Sequence, residues 1–261
     1  MMDNIFSLGL NTYREAIRQK VLYGLMFFMV LLILMAYFLA QLAVGDADVK
    51  IIKDMGLATI FFLGSVVSIS MGISLVYKEI ERKTIYTILS KPVSRTEFVI
   101  GKFIGLAVTL FVKVVLMTCL LLAVLSFYPE GADWNLWKAS FLIFVELCVL
   151  VSIALVFSSY SSSFMSGLFC FSILMVGHLT DDLVSIVVKT IQRTKVSLPF
   201  PPEVFEWIKV FSFDHFIINS QIVYGVPVGM NRIFFGGLYG FFWVVFFLTI
   251  AVSLFRLKDL K

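Results

Sequence analysis

Two ionisable residues lie inside long apolar runs of the sequence, where a charge needs a partner. Lys113 lies about 12–15 residues into one run, and Glu146 lies about 10 residues into the next. At about 1.5 Å per residue of helix, both are roughly 15–20 Å from the ends of their runs, close to a bilayer midplane. Charges at that depth usually face the protein interior and pair. We therefore predict a Lys113–Glu146 charge pair, which either locks two helices or serves substrate passage or a subunit interface.

The other residues with chemical potential do not form recognisable sites. His178 and His215 are far apart, and Cys119, Cys148 and Cys170 all fall in apolar runs without a CxxC spacing. The sequence has no GxxxxGK[ST], HExxH or GxSxG motif. We expect no catalytic residue, no metal site and no cofactor in this chain, and hence no enzyme.

Composition indicates the class of protein. Hydrophobic residues make up 60% of the 261 residues, and the mean hydropathy is +0.99, whereas soluble domains are about 45–50% apolar. The excess lies in discrete runs, which predicts an all-α polytopic membrane protein. Membrane topology explains the net charge of +4 better than binding to nucleic acid does.

The runs predict one transmembrane domain over 1–261. An interfacial helix at 3–20 has an apolar stripe of Phe6, Leu10, Tyr13 and Ile17. Six transmembrane helices follow at 21–44, 55–76, 98–127, 136–157, 164–184 and 233–254. A loop at 78–97 joins the second and third. An external segment at 189–231 holds four of the six prolines and reads as two short amphipathic or re-entrant helices.

Small residues mark possible helix contacts. The second span carries a small-residue face made of Gly64, Ser65, Ser68, Ser70, Gly72 and Ser74. The spacings Gly101/Gly105 and Gly236/Gly240 also permit close helix approach. None of these patterns identifies its partner helix.

The distribution of charge predicts the orientation. With six spans, the side holding both termini carries 12 Lys or Arg and 6 Asp or Glu, whereas the other side carries 8 and 10. Lys113 and Glu146 are left out of these sums. Because basic residues accumulate on the cytoplasmic side, both termini are predicted to be cytoplasmic.

The loop at 78–97 has internal structure. Residues 78–102 hold six Lys or Arg. Ile85, Ile88 and Leu89 share one side of a short helix, which Pro92 ends because proline lacks an N–H and restricts the residue before it. Ser94 and Glu97 then have the spacing of a capping box, which predicts a new helix running directly into the third span.

This loop resembles that of the permease subunits of ABC-2 type transporters. The resemblance rests on Glu79-x-Glu81-x-x-Thr84, on Leu89-Ser90-Lys91-Pro92-Val93-Ser94-Arg95, and on Gly101-Lys102. The family layout also matches: an interfacial helix, six spans, a coupling helix between spans two and three, and short external helices before the last span.

The resemblance implies how the chain works. The permease would have no nucleotide site, and an ABC ATPase subunit, expected in two copies, would dock on its cytoplasmic face. A second permease chain, identical or different, would complete the pathway in the inner (plasma) membrane. The implied ATPase-docking residues are Glu81, Arg82, Lys83, Ile85, Ile88, Leu89, Lys91 and Arg95.

Two other functions fit the pattern. The first is a self-contained secondary transporter or channel that uses Lys113 and Glu146 as a charge relay. It would work without another chain and predicts internal repeats, of which the sequence shows no convincing example. The second is a membrane scaffold whose loop recruits a partner.

Overall fold

The computed structural model describes residues 2–18, 20–41, 48–81, 94–128, 133–194, 209 and 212–257, and these residues contain helices and connections but no strand. The helices are α1 (Met2–Ile17), α2 (Lys20–Ala40), α3 (Asp48–Glu81), α4 (Arg95–Leu125), α5 (Leu136–Tyr160), α6 (Ser163–Thr194), a 3₁₀ helix (Phe213–Phe216), α7 (Asn219–Val223) and α8 (Met230–Leu257).

Five of these helices contain stretches long and apolar enough to cross a membrane. The stretches are Asp48–Ser74, Arg95–Leu125, Leu136–Tyr160, Ser163–Thr190 and Met230–Leu257. Within α2, the shorter stretch Val30–Leu39 is also apolar. The chain is therefore an all-α polytopic membrane protein, as predicted. The remaining predicted transmembrane helix, at 21–44, is the first of the six along the chain, and its crossing of the membrane stays a prediction.

Several helices extend beyond the apolar runs that predict them. Helix α3 covers Asp48–Glu81, although its predicted span is 55–76. Helix α6 covers Ser163–Thr194, although its predicted span is 164–184. Apolar runs mark only the part of a helix that suits hydrocarbon. Because no proline or glycine occurs in 178–194, nothing stops α6 where the apolar run ends.

Helix α5 lies at the centre of the described helices. In its most apolar stretch 78% of the residues are buried, compared with 22% for α6 and for α8. A helix that is apolar on all sides is expected to be enclosed by others. Helices α3, α4, α6 and α8 all contact α5, so α6 and α8 keep wide faces for lipid.

Glycines let α3 approach α4 and α5. A Cβ at Gly64 would lie 2.7 Å from Leu147 Cδ1 of α5, and one at Gly72 would lie 2.6 Å from Ala154 Cβ of the same helix. Ser65 and Ser68 are also buried, whereas Ser70 of the predicted small-residue face is exposed. The small residues let the helices come close, and large apolar side chains such as Leu63, Val67 and Leu147 fill the same buried contact.

The 3₁₀ helix lies among the long helices. Phe213 and Phe216 are buried, and the Phe213 ring lies against Gly177 of α6. The Tyr239 hydroxyl of α8 donates to the carbonyl oxygen of Ser212 at 3.1 Å. Tyr239 lies about 14 Å along α8 from its first residue at 1.5 Å per residue. This part of the predicted external segment therefore re-enters the helical bundle.

Candidate functional site

The beginning of α4 is fixed by the predicted capping box. Ser94 Oγ accepts a hydrogen bond from the Glu97 amide at 3.2 Å, and Glu97 Oε2 accepts one from the Ser94 amide at 2.8 Å. Both halves of the reciprocal motif are present, so this prediction is confirmed. Because two free amides of the first turn are satisfied, α4 begins at a defined residue.

Arg95 connects this first turn to the end of α8. Its guanidinium donates to the carbonyl oxygens of Phe255 at 2.9 Å and Arg256 at 3.0 Å. Arg256 in turn donates to Thr96 Oγ1 at 2.8 Å. The last carbonyls of a helix have no partner within it and carry partial negative charge, so a guanidinium stabilises that end.

Helix α4 also makes an apolar contact with α8 and an ion pair with α1. The buried rings of Phe98 and Phe255 stack with centroids 5.4 Å apart. Lys102 is almost completely buried, and its Nζ lies 3.6 Å from Glu15 Oε2 of α1. We name the group formed by Glu15, Ser94, Arg95, Glu97, Phe98, Lys102 and Phe255 the α1–α4–α8 junction.

Two glycines of α4 bring α1 close to the junction. A Cβ at Gly101 would lie 2.8 Å from Leu8 Cβ, and one at Gly105 would lie 2.5 Å from the Gly9 carbonyl oxygen and 2.6 Å from Thr12 Cβ. The partner of the Gly101/Gly105 spacing is therefore α1. The two backbones meet at a distance that a side chain at Gly105 would prevent.

The other side of α1 is apolar and open. Phe6, Leu10 and Ile17 of the predicted stripe are exposed, and Tyr13 is half-buried. Since Gly9, Thr12 and Ala16 face inward, the exposed stripe suits a helix that lies in the membrane interface.

The predicted docking residues divide into two groups. Glu81 is the last residue of α3, and Arg95 belongs to the junction. Arg82, Lys83, Ile85, Ile88, Leu89 and Lys91 lie outside the described residues. Arg95 therefore has a contact inside the chain that sequence reasoning missed. Docking itself stays a prediction.

The two intramembrane charges have different neighbours from those predicted. Glu146 Oε1 lies 3.5 Å from His178 Nε2 of α6, and the nearest polar contact of Lys113 Nζ is Met71 Sδ at 3.9 Å. Among the described residues, no ion pair within 4.0 Å joins Lys113 to Glu146. The predicted charge pair is not formed in this structure.

Helix geometry explains the difference. Leu147 and Lys113 line the same narrow gap between α3, α4 and α5, whereas Glu146 contacts α6. Consecutive residues point about 100° apart around a helix, so Glu146 turns away from Lys113 even though both lie at mid-membrane depth. The missed partner, His178, is an ionisable residue within an apolar run, which is the signal that could have identified it.

Aromatic rings enclose the Glu146–His178 contact. The ring centroid of Phe61 of α3 lies 4.8 Å from that of His178, and the Phe213 ring meets His178 edge-on at 5.9 Å. The pair thus joins α5 to α6 and contacts α3 and the 3₁₀ helix. The two groups are within ion-pair distance, although Glu146 Oε1 has no hydrogen-bond partner among the described residues. Among the described residues, no group of three His, Cys, Asp or Glu is placed to hold a metal ion.

Comparison with known proteins identifies the family. The family model described as ABC-2 family transporter protein matches residues 11–260, nearly the whole chain. No curated protein matches this sequence. The match includes every part of the junction and the described spans, and the chain belongs to the ABC-2 family of transporter proteins.

Proposed function

We propose that this chain is the permease subunit of an ATP-driven exporter and that a separate ABC ATPase docks on the segment between α3 and α4. Family membership supports a permease of the ABC type. The ATPase would supply hydrolysis, and this chain would supply the pathway. Two ATPase copies and a second permease chain would complete the complex, with both termini cytoplasmic.

The α1–α4–α8 junction carries this proposal. The segment at 82–93 connects α3, which ends at Glu81, to the capped start of α4. A force applied there reaches a helix whose first two turns are fixed to α8 by Arg95 and to α1 by Lys102. Because packed helices move as rigid elements, such a force would tilt α1, α4 and α8 together rather than deform a loop.

The structure offers less support for a self-contained transporter. That alternative depended on a relay through Lys113 and Glu146, and these residues do not contact each other. The Glu146–His178 contact involves helices outside the junction. It therefore gives no reason to prefer an ion-driven mechanism over an ATP-driven one.

Intact-complex mass spectrometry tests the partner directly. After gentle purification from native membranes, the chain should appear with two ATP-binding subunits and two permease chains. Ile85→Asp with Ile88→Asp should release the ATPase, because burying two charges in an apolar contact is costly. Ser162→Asp is the matched control, since this exposed residue lies in the connection between α5 and α6. A wild-type chain that purifies alone, even after cross-linking at Lys91, would contradict the proposal.

A further inference from the structure

An apolar cavity lies between α5, α6 and α8. It has a volume of about 370 Å³ and is lined by Ile153, Ile173, Val176, Phe213, Trp243 and Phe247, among others. Gly177 also lines it, and a Cβ at that position would lie 2.6 Å from the Phe213 ring. The 3₁₀ helix can therefore close one side of the cavity because α6 has a glycine there.

The lining is mostly apolar, and its polar side-chain groups are the Ser172 hydroxyl and the buried indole nitrogen of Trp243. No charged side chain lines the cavity. Its one hydroxyl, that of Ser172, already donates to the Leu168 carbonyl oxygen at 2.8 Å. Apolar cavities of this kind do not hold water, because water needs two to four polar partners.

The mouth of the cavity opens on the exposed surface of membrane-spanning stretches. Val176 is 63% exposed, and Phe242 and Phe246, which contact the Trp243 ring, are also exposed, although all three belong to such stretches. A void left empty there would forfeit dispersion contacts along its whole lining. The adjoining phase supplies hydrocarbon chains that can fill it.

We propose that this cavity binds one hydrocarbon chain of a bilayer phospholipid. Residues Ser172 to Gly177 lie about 14–21 Å from the first residue of α6 at 1.5 Å per residue, near the middle of a core about 30 Å thick. The terminal part of a lipid chain, far from the headgroup, reaches this depth while the headgroup stays at the membrane surface. The site therefore recognises the chain by shape and apolarity, and the headgroup takes no part.

Photolabelling tests the site without an ATPase, so that its outcome is independent of the proposed function. The full-length chain is placed in phosphatidylcholine vesicles containing a phospholipid with a diazirine near the terminal methyl group of one chain. After illumination, peptide mass spectrometry should find adducts concentrated at the cavity residues of α6 and α8. Val176→Trp, which fills the mouth, should lower these adducts by roughly tenfold, which corresponds to losing about 1.4 kcal/mol of binding free energy.

Met175→Trp is the matched control because Met175 is exposed at the same depth but does not line the cavity. It should leave labelling unchanged. Ser172→Phe provides a second cavity-filling variant should Val176→Trp destabilise the chain. Adducts spread evenly over the lipid-facing residues, and equal in all variants, would overturn the proposal. A disulfide between Val176→Cys residues of two chains would also overturn it, because a second copy would then cover the mouth.

Discussion

At the scale of single residues, Glu146 is a buried carboxyl group, and its ion-pair contact among the described residues is with His178. Its side chain is 2% exposed, and His178 is 3.5 Å away. Polar contacts between membrane helices, even hydrogen-bonded ones, contribute less to stability than their burial suggests, because the unfolded state in the membrane also finds partners. Glu146 and His178 should therefore stabilise the α5–α6 contact modestly.

A double-mutant cycle measures this contribution. Glu146→Gln and His178→Gln should each destabilise the chain, and the double variant should cost less than their sum by about 0.6–1.7 kcal/mol. The measurement is the free energy of unfolding in mixed micelles. Glu146→Gln combined with Lys113→Met is the control pair and should be closer to additive, because no contact joins the two side chains. Stronger coupling to Lys113 than to His178 would contradict the structure.

These residues also show how far the sequence could predict the site. The capping box was predictable because Ser94 and Glu97 are three residues apart and local geometry decides the contact. The partner of Arg95 was not, since Phe255 lies 160 residues further along the chain. The depth of Glu146 followed from its position in an apolar run, but its direction around α5 depended on how that helix packs.

At the scale of helices, close packing through glycine determines where α1 lies. At position 105 a Cβ would meet the Gly9 carbonyl oxygen and Thr12, so only glycine, with a hydrogen in place of the Cβ, fits there. Backbone atoms cannot move aside as the end of a flexible side chain can. Sequence periodicity predicted the open apolar stripe of α1, whereas the closest approach on its packed face is made at Gly9 and Thr12, which hydropathy does not reveal.

Gly105→Ala tests this contact. Although alanine favours a helix over glycine by about 1 kcal/mol, the added Cβ should force α1 away from α4 and cost about 1–3 kcal/mol through overpacking. The measurement is the free energy of unfolding. Gly237→Ala is the control, because its Cβ would lie 3.5 Å from the Phe141 ring, an ordinary contact distance. Equal effects of the two variants, or a larger loss of stability from Gly237→Ala, would show that α1 does not depend on this close approach.

At the scale of the whole molecule, the helices differ in how firmly they are held. Helices α1, α4 and α8 meet at the junction through hydrogen bonds, an ion pair and stacked rings. Helix α6 has a wide exposed face and contacts α5 through Glu146 and His178. If the proposed ATPase moves the segment at 82–93, the junction helices should move as one body relative to α6.

Spin-label distances can detect such a movement. Labels at the exposed residues Leu10 of α1, Leu257 of α8 and Leu168 of α6 are attached in pairs to cysteine-substituted chains, which are diluted with unlabelled chains. When the complex with the ATPase traps a nonhydrolysable ATP analogue, the Leu257–Leu168 distance should change while the Leu10–Leu257 distance stays constant. Electron paramagnetic resonance measures both distances.

We expect Arg95 to make α8 follow α4 in this movement, because it joins the two helices directly. Arg95→Ala removes the donors to Phe255 and Arg256, so the nucleotide-dependent change between Leu257 and Leu168 should shrink while the ATPase remains bound. Arg95→Lys should have an intermediate effect. One guanidinium nitrogen donates to both carbonyls, and the shorter lysine side chain carries its ammonium less far along the same path. If Arg95→Ala leaves the full change in place, the stacked rings of Phe98 and Phe255 suffice to couple the two helices, and the guanidinium serves only the stability of the end of α8.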